Sequence, residues 1–116
     1  MTKYVSVTIG SSDSLSTASA TIANNEVFAG FETDANWSAN IVSFAKLAAD
    51  RVTWIPVNAK DGTGEYQTST VQPSTFTPID IATFLACQEL KVRSGISTTD
   101  VAQSSDTVIN LQVTCL

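Results

Sequence analysis

The chain has 116 residues, with six Lys+Arg, eleven Asp+Glu and no histidine, so its formal net charge is −5. This length is typical of one domain, roughly 100–150 residues, and we expect residues 1–116 to form a single domain. The absence of histidine removes the commonest general base and metal ligand, and the few scattered cations cannot neutralise several phosphates together, so we expect no enzyme, no cofactor and no nucleic-acid partner.

The first third of the chain is rich in short runs of β-forming residues. Residues 4–9 alternate apolar and polar side chains and stop at a Gly-Ser-Ser-Asp turn. Residues 15–22 alternate Ser or Thr with Ala, and Glu26–Thr33 has apolar side chains on both faces. These patterns predict three strands, the third of them buried on most of both faces.

The rest of the chain continues the same pattern. Residues 39–47 and 51–58 predict two strands, and Pro56 indicates an edge or a bulge because proline cannot donate a ladder hydrogen bond. The other expected elements follow in chain order: a turn at 61–64, a polar strand at 65–71, an extended crossover at 72–78, a short helical turn near 79–86, a strand at 90–93, a turn at 94–95 and a strand at 107–114.

Together these elements predict an all-β chain with about eight strands. Short strands separated by polar turns every eight to twelve residues are typical of sandwiches and barrels. We therefore expect a single-domain antiparallel β-sandwich, jelly-roll-like, with one short helical turn.

Apolar stretches are far shorter than the roughly 20 residues that span a bilayer, and the start lacks the pattern of a secretory signal. We expect no transmembrane segment and no signal peptide.

The two cysteines, Cys87 and Cys115, lie too far apart in sequence for a CxxC pair. In a reducing compartment we expect two thiols, at least one of them buried as a small hydrophobe, and a disulfide is the alternative.

Loop carboxylates such as Asp34 and Asp80 could converge as a catalytic pair, but ordinary turn chemistry explains them as well. The segment 61–65 could hold calcium, and a hairpin turn is the simpler interpretation.

Two groups of residues are candidates for contacts with other molecules. Aromatic rings can stack on sugars or fill a partner's pocket, and a sandwich core is the alternative for the two tryptophans. The candidates of this kind are Trp37, Trp54, Tyr66 and Phe76. The first strand could instead pair with the edge of a neighbouring subunit, since terminal strands are easily added to an edge. Its residues are Tyr4, Val5, Ser6, Val7 and Thr8.

The order of several short motifs resembles a known family of proteins. Trp37 precedes the apolar segment Ile41-Val42-Ser43-Phe44, and the turn Lys91-Val92-Arg93-Ser94-Gly95 precedes Val101-Ala102-Gln103. This order, over about residues 15–113, is similar to that of short accessory structural proteins of tailed bacteriophages, prophages and gene transfer agents.

The resemblance implies a virion protein without enzymatic activity, made in the host cytoplasm. Such proteins decorate the capsid, form the base of a spike or fibre at a vertex, or belong to the tail. The implied partners are other virion proteins, namely capsid, spike or fibre subunits, and further copies of the chain in a homo-oligomer. An alternative is a carbohydrate-binding domain of a tail or spike that contacts the host surface, which requires at least two of the rings of Trp37, Trp54 and Tyr66 to be exposed along one groove.

Overall fold

Two antiparallel β-sheets stack on each other in the computed structural model, which describes residues 2–85 and 87–115. The all-β sandwich expected from the sequence is confirmed, although the described residues form ten strands rather than about eight. The strands are β1 (Thr2–Ile9), β2 (Ala20–Thr21), β3 (Glu26–Thr33), β4 (Val42–Leu47), β5 (Trp54–Pro56), β6 (Gln67–Thr68), β7 (Phe76–Pro78), β8 (Glu89–Ile96), β9 (Thr99–Asp100) and β10 (Thr107–Cys115).

The four-stranded sheet has the order β1-β10-β3-β7. Its long strands follow the alternation of the sequence, since Val7 and Ile9 of β1 and every second side chain of β10 from Thr107 to Val113 are buried, and the side chains between them face outward. β1 pairs with β10 along its whole length without a register shift, from Thr2 opposite Thr114 to Ile9 opposite Thr107. Between β10 and β3 the register shifts at Gln112 and Val113, which accommodates one extra residue in β3.

The other sheet has six strands, of which β8 and β4 are the longest; its order is β2-β8-β4-β5, and β6 and β9 pair with β4 and β8. β5 lies at its edge, as Pro56 indicates. The predicted strand 51–58 is reduced to Trp54–Pro56 because Asp50 accepts hydrogen bonds from the backbone of Val52 and Thr53, which folds the residues before Trp54 into a loop. The predicted strand 65–71 is likewise reduced to Gln67–Thr68.

Five aromatic rings join the two sheets at the centre of the core. Phe44 of β4 lies 5.3 Å from Phe28 and 5.8 Å from Phe31 of β3, measured between ring centroids. Phe84 packs edge-on against Phe44 at 5.1 Å and against Tyr66 at 5.2 Å. Edge-to-face contacts of this kind stabilise a core beyond the area they bury, so the cluster fixes the position of one sheet on the other.

Two sequence expectations about strands and turns are wrong. Residues 15–22 form a strand only at Ala20–Thr21, because the Ser16 hydroxyl accepts the backbone N–H of Val92 and so replaces a ladder partner. Gly95 lies inside β8 rather than in a turn, and its φ of 87° and missing side chain allow the backbone of residues 99–101 to approach. The turn itself falls at residues 97–98.

The short helical turn expected near 79–86 is present as one 3₁₀ turn, Ile81–Phe84. Asp80 precedes it, and its carboxylate accepts a hydrogen bond of 3.0 Å from the Thr83 hydroxyl. Residue 86 of the expected span lies outside the described residues. The turn places the Phe84 ring in the core, which is its structural role.

Candidate binding surfaces

The four candidate aromatic residues occupy different places. Trp37 is only 3% exposed and belongs to the core. Tyr66 packs on the core through Phe44 and Phe84, and its phenol oxygen accepts a 2.9 Å hydrogen bond from the backbone of Asp80. Trp37 and Tyr66 therefore do not provide two open rings along one groove, the arrangement that a sugar site built on these residues requires.

Trp54 and Phe76 lie on opposite sides of the sandwich. Trp54 is on the outer face of the six-stranded sheet, where the ammonium of Lys91 stands 4.8 Å from its ring centroid. Phe76 pairs with Glu32 at the far edge of the four-stranded sheet and is 42% exposed. Of the four aromatic candidates, Phe76 alone presents a large open ring.

Strand β1 forms a free edge of the four-stranded sheet. Tyr4, Ser6 and Thr8 point outward and are exposed, whereas Val7 is buried and Val5 is partly buried. The predicted edge residues are thus divided between the surface and the core, but the backbone of all five lies at the sheet edge. A free edge of this length presents unpaired N–H and C=O groups to a partner strand.

Lys3 is the charged residue of β1, and it points away from the free edge. Its ammonium reaches across β10 to the carboxylate of Glu26 in β3, at 2.9 Å. The hydrogen bond from Lys3, together with one from the backbone of Ala23, lowers the pKa of Glu26 below its ordinary value. The cation therefore fastens β1 to its own sheet and does not shield the edge.

Six of the outward side chains of the four-stranded sheet form a largely polar surface, which we call the polar face. It consists of Tyr4, Ser6, Glu32, Phe76, Asn110 and Gln112. The Ser6 hydroxyl donates to Asn110 Oδ1 at 2.5 Å, and Asn110 Nδ2 donates to Glu32 Oε1 at 3.4 Å. These bonds cross three strands and hold the amide of Asn110 in one orientation.

The candidate carboxylates serve local structure. Asp34 accepts the backbone N–H of Asn36 and of Val108, which ties the loop after β3 to β10. Asp50 accepts from Val52 and from the backbone and hydroxyl of Thr53, and these bonds lower the Asp50 pKa to about 2. Each of these carboxylates is occupied by donors of its own loop or of a neighbouring strand.

The turn at 61–65 divides its two carboxylates between separate partners. Asp61 accepts the backbone and hydroxyl of Thr63, which lowers the pKa of Asp61. Glu65 accepts the backbone and hydroxyl of Ser97 and lies 3.6 Å from the guanidinium of Arg93. In residues 2–85 and 87–115, no three Asp, Glu, Cys or His side chains are grouped as ligands for one metal ion.

Both cysteines are free thiols, as expected. Cys87 is buried and lines a cleft of about 490 Å³ next to Lys46 and Arg51. Burial raises the pKa of the Cys87 thiol, against the opposing effect of the Lys46 charge. The thiolate is the reactive form, so the raised pKa disfavours it, and Cys87 packs in the hydrophobic core.

Comparisons with protein-family models, with curated protein sequences and with solved structures found no match. None of the helical segments in the described part of the chain has the length and apolar character needed to cross a bilayer.

Proposed function

We propose that the chain is a non-enzymatic structural subunit of a tailed phage or phage-like particle, attached to the capsid as a decoration or spike-base protein. The order of sequence motifs supports the particle assignment. The free edge of β1 is the structural observation that supports a role in assembly, because a continuous strand edge is a template for pairing with another chain.

β1 lacks most of the features by which proteins usually protect an edge. Natural edges are shortened, bulged, interrupted by proline or covered by inward-pointing charges. β1 has eight residues, no proline and an unbroken register, and Lys3 is directed to Glu26. An edge of this kind is suited to a permanent partner.

The partner that fits best is a second copy of the chain. The other sheet edges among the described residues are short: β7 and β5 have three residues each and contain Pro78 and Pro56, and β2, β6 and β9 have two residues each. β1 is the long edge available on a second copy. Pairing of β1 with β1 across a two-fold axis would be antiparallel and would use the same surface twice.

The particle assignment is tested by mass spectrometry of density-purified particles from a strain that encodes the chain. We expect the chain in the particles at a fixed copy number relative to the major capsid protein. Absence from purified particles, together with presence in the cell lysate, would overturn the virion role and indicate an assembly factor.

Charged substitutions test whether the free edge of β1 pairs with a second copy of the chain. Thr2→Glu with Thr8→Glu adds like charges to exposed ends of β1, and like charges facing each other across a strand pair are destabilising. We expect native mass spectrometry to show a shift from dimer to monomer. Thr17→Glu with Gln72→Glu adds the same charge at exposed positions away from β1 and should leave the dimer intact. A wild-type monomer at high concentration would exclude β1 pairing.

A further inference from the structure

We propose that the polar face is a binding site for a neutral oligosaccharide, with Tyr4 and Phe76 as stacking rings and Gln112 as the hydrogen-bonding group between them. Tyr4 is 52% exposed and Phe76 is 42% exposed. Aromatic rings cover the C–H faces of sugars, and amides placed beside them can bond the hydroxyls. The proposal does not depend on the particle role above.

The strand register brings the two rings toward one row. Tyr4 is opposite Gln112, and Gln112 is opposite Gly30. Phe76 starts one row away, opposite Glu32. Its ring leans over Gly30, so that a Cβ built on Gly30 would stand 2.4 Å from the ring tip. Gly30 therefore makes room for the ring to enter the row of Gln112 and Tyr4.

The spacing in this row suits a chain of linked sugar rings. Tyr4 and Gly30 are two strand spacings apart, which is about 10 Å. Gln112 lies between them, and its side-chain amide forms no hydrogen bond with any of the described residues. The two rings therefore flank a free donor and acceptor at about the length of a disaccharide.

The charge of the polar face indicates which class of ligand it would bind. Its outward side chains are hydroxyls, amides and the two rings, with Glu32 as the charged member. Glu32 is held by Asn110. A surface without a cation does not attract phosphate, sulfate or uronic acid groups. The match is to uncharged sugars rather than to an acidic polysaccharide or an acidic peptide.

Binding is tested on a glycan array that carries neutral and acidic bacterial surface polysaccharides, and by NMR titration with cellohexaose, chitohexaose and mannohexaose. We expect a neutral glycan to bind and to shift the amide signals of β1, β3, β7 and β10. No binding, binding of acidic glycans alone, or shifts confined to the face that carries Trp54 would overturn the proposal. Binding of a protein subunit to the polar face without any glycan binding would also overturn it.

Single substitutions test which side chains of the polar face contact the glycan. Tyr4→Ala and Phe76→Ala should each weaken binding about tenfold, as expected for the loss of one stacking ring, and Phe76→Tyr should retain it. Gly30→Ala keeps both rings but displaces Phe76, so it should weaken binding too. The control Val52→Ala removes an exposed side chain in the loop before β5 and should have no effect. Dispersed amide spectra establish that each variant is folded, and unchanged affinity in Tyr4→Ala and Phe76→Ala would contradict the assignment.

Discussion

The two sheets of this sandwich use the same kind of sequence in different ways. In the four-stranded sheet, the long strands β1, β3 and β10 pair in extended register and leave an open polar face and an open edge. In the six-stranded sheet, the central strands β4 and β8 are flanked by strands of two or three residues, and charged side chains lie across the outer face. The difference is the reason why both proposed contacts, strand pairing and glycan binding, use the first sheet.

The contact between the sheets should be the most sensitive part of the molecule. Phe44 touches rings from β3 and from the 3₁₀ turn. We expect Phe44→Ala to lower the free energy of unfolding by about 3–5 kcal/mol, because it removes buried area and leaves a cavity. Urea denaturation measures the change. The same substitution at the exposed Phe76 should cost about 1 kcal/mol or less, and equal losses at both positions would contradict a core centred on Phe44.

A buried amide makes the second connection between the sheets. Gln103 donates to the Ser94 hydroxyl at 2.9 Å, and its oxygen accepts from Ser38 and from the Thr107 hydroxyl at 3.0 Å. These partners come from β8, β10 and the loop before β4. All of them are held by one side chain that is almost fully buried.

We expect Gln103→Ala to lower the free energy of unfolding by about 2–4 kcal/mol, because several buried polar groups lose their partner. Thermal and urea denaturation measure the loss. Gln72→Ala, at an exposed position, is the matched control and should change stability by less than about 0.5 kcal/mol. A loss at Gln103 as small as that of the control would show that the network is replaced by water.

The sequence predicted the four-stranded sheet better than the six-stranded one, and the reason is physical. β3 matches the predicted 26–33 and β10 matches 107–114 to within one residue, because a long strand that buries one or both faces carries a strong pattern. The short strands β5 and β6 carry little pattern, and their ends are decided by side chains such as Asp50 that hydrogen-bond to the backbone. Ser16 and Gly95 act through distant parts of the chain, which no local pattern contains.

The candidate binding residues could likewise be predicted where a local pattern indicates them, and not where their position depends on distant parts of the chain. The first strand was found from its alternation, and the structure places it at a free edge. The tryptophans are candidates because aromatic rings can stack on sugars, but the burial of Trp37 depends on the whole fold. Tyr4 and Phe76 share a face because the strand register turns both side chains outward, and Gly30 lets the Phe76 ring lean into the row of Tyr4. The strand order that brings β1 and β7 to opposite sides of β10 and β3 could not be predicted from the sequence.

Removal of a charge should lower the free energy of unfolding more on the six-stranded sheet than on the four-stranded one. Glu65 and Arg93 face each other at 3.6 Å with side chains only 13% and 14% exposed. We expect Glu65→Gln to lower the free energy of unfolding by about 1–2 kcal/mol, since it leaves a mostly buried guanidinium without its counter-ion. Glu32→Gln on the polar face should cost about 0.5 kcal/mol or less. Denaturation of both variants at two salt concentrations measures the two losses. A larger loss for Glu32→Gln than for Glu65→Gln would contradict this prediction.

The smallest effect should come from the loop that closes β4 onto β5. Asp50 has a pKa of about 2, below its ordinary value of 3.8, because the hydroxyl and backbone of Thr53 and the backbone of Val52 donate to its carboxylate. A carboxyl whose pKa is lower in the folded state stabilises the fold above its unfolded pKa, and this stabilisation is lost as the pH falls from about 4 to about 2.

NMR titration of the Asp50 carboxyl measures this pKa directly. Thr53→Val removes the largest contribution and should move the Asp50 pKa back toward 3.8. Thr63→Val makes the same change beside Asp61 and serves as the control, since it should move the Asp61 pKa and leave Asp50 unchanged. An Asp50 pKa near 3.8 in the wild-type protein would mean that the loop is not fixed by this cap, and that the short strand β5 is held by its ladder with β4 instead.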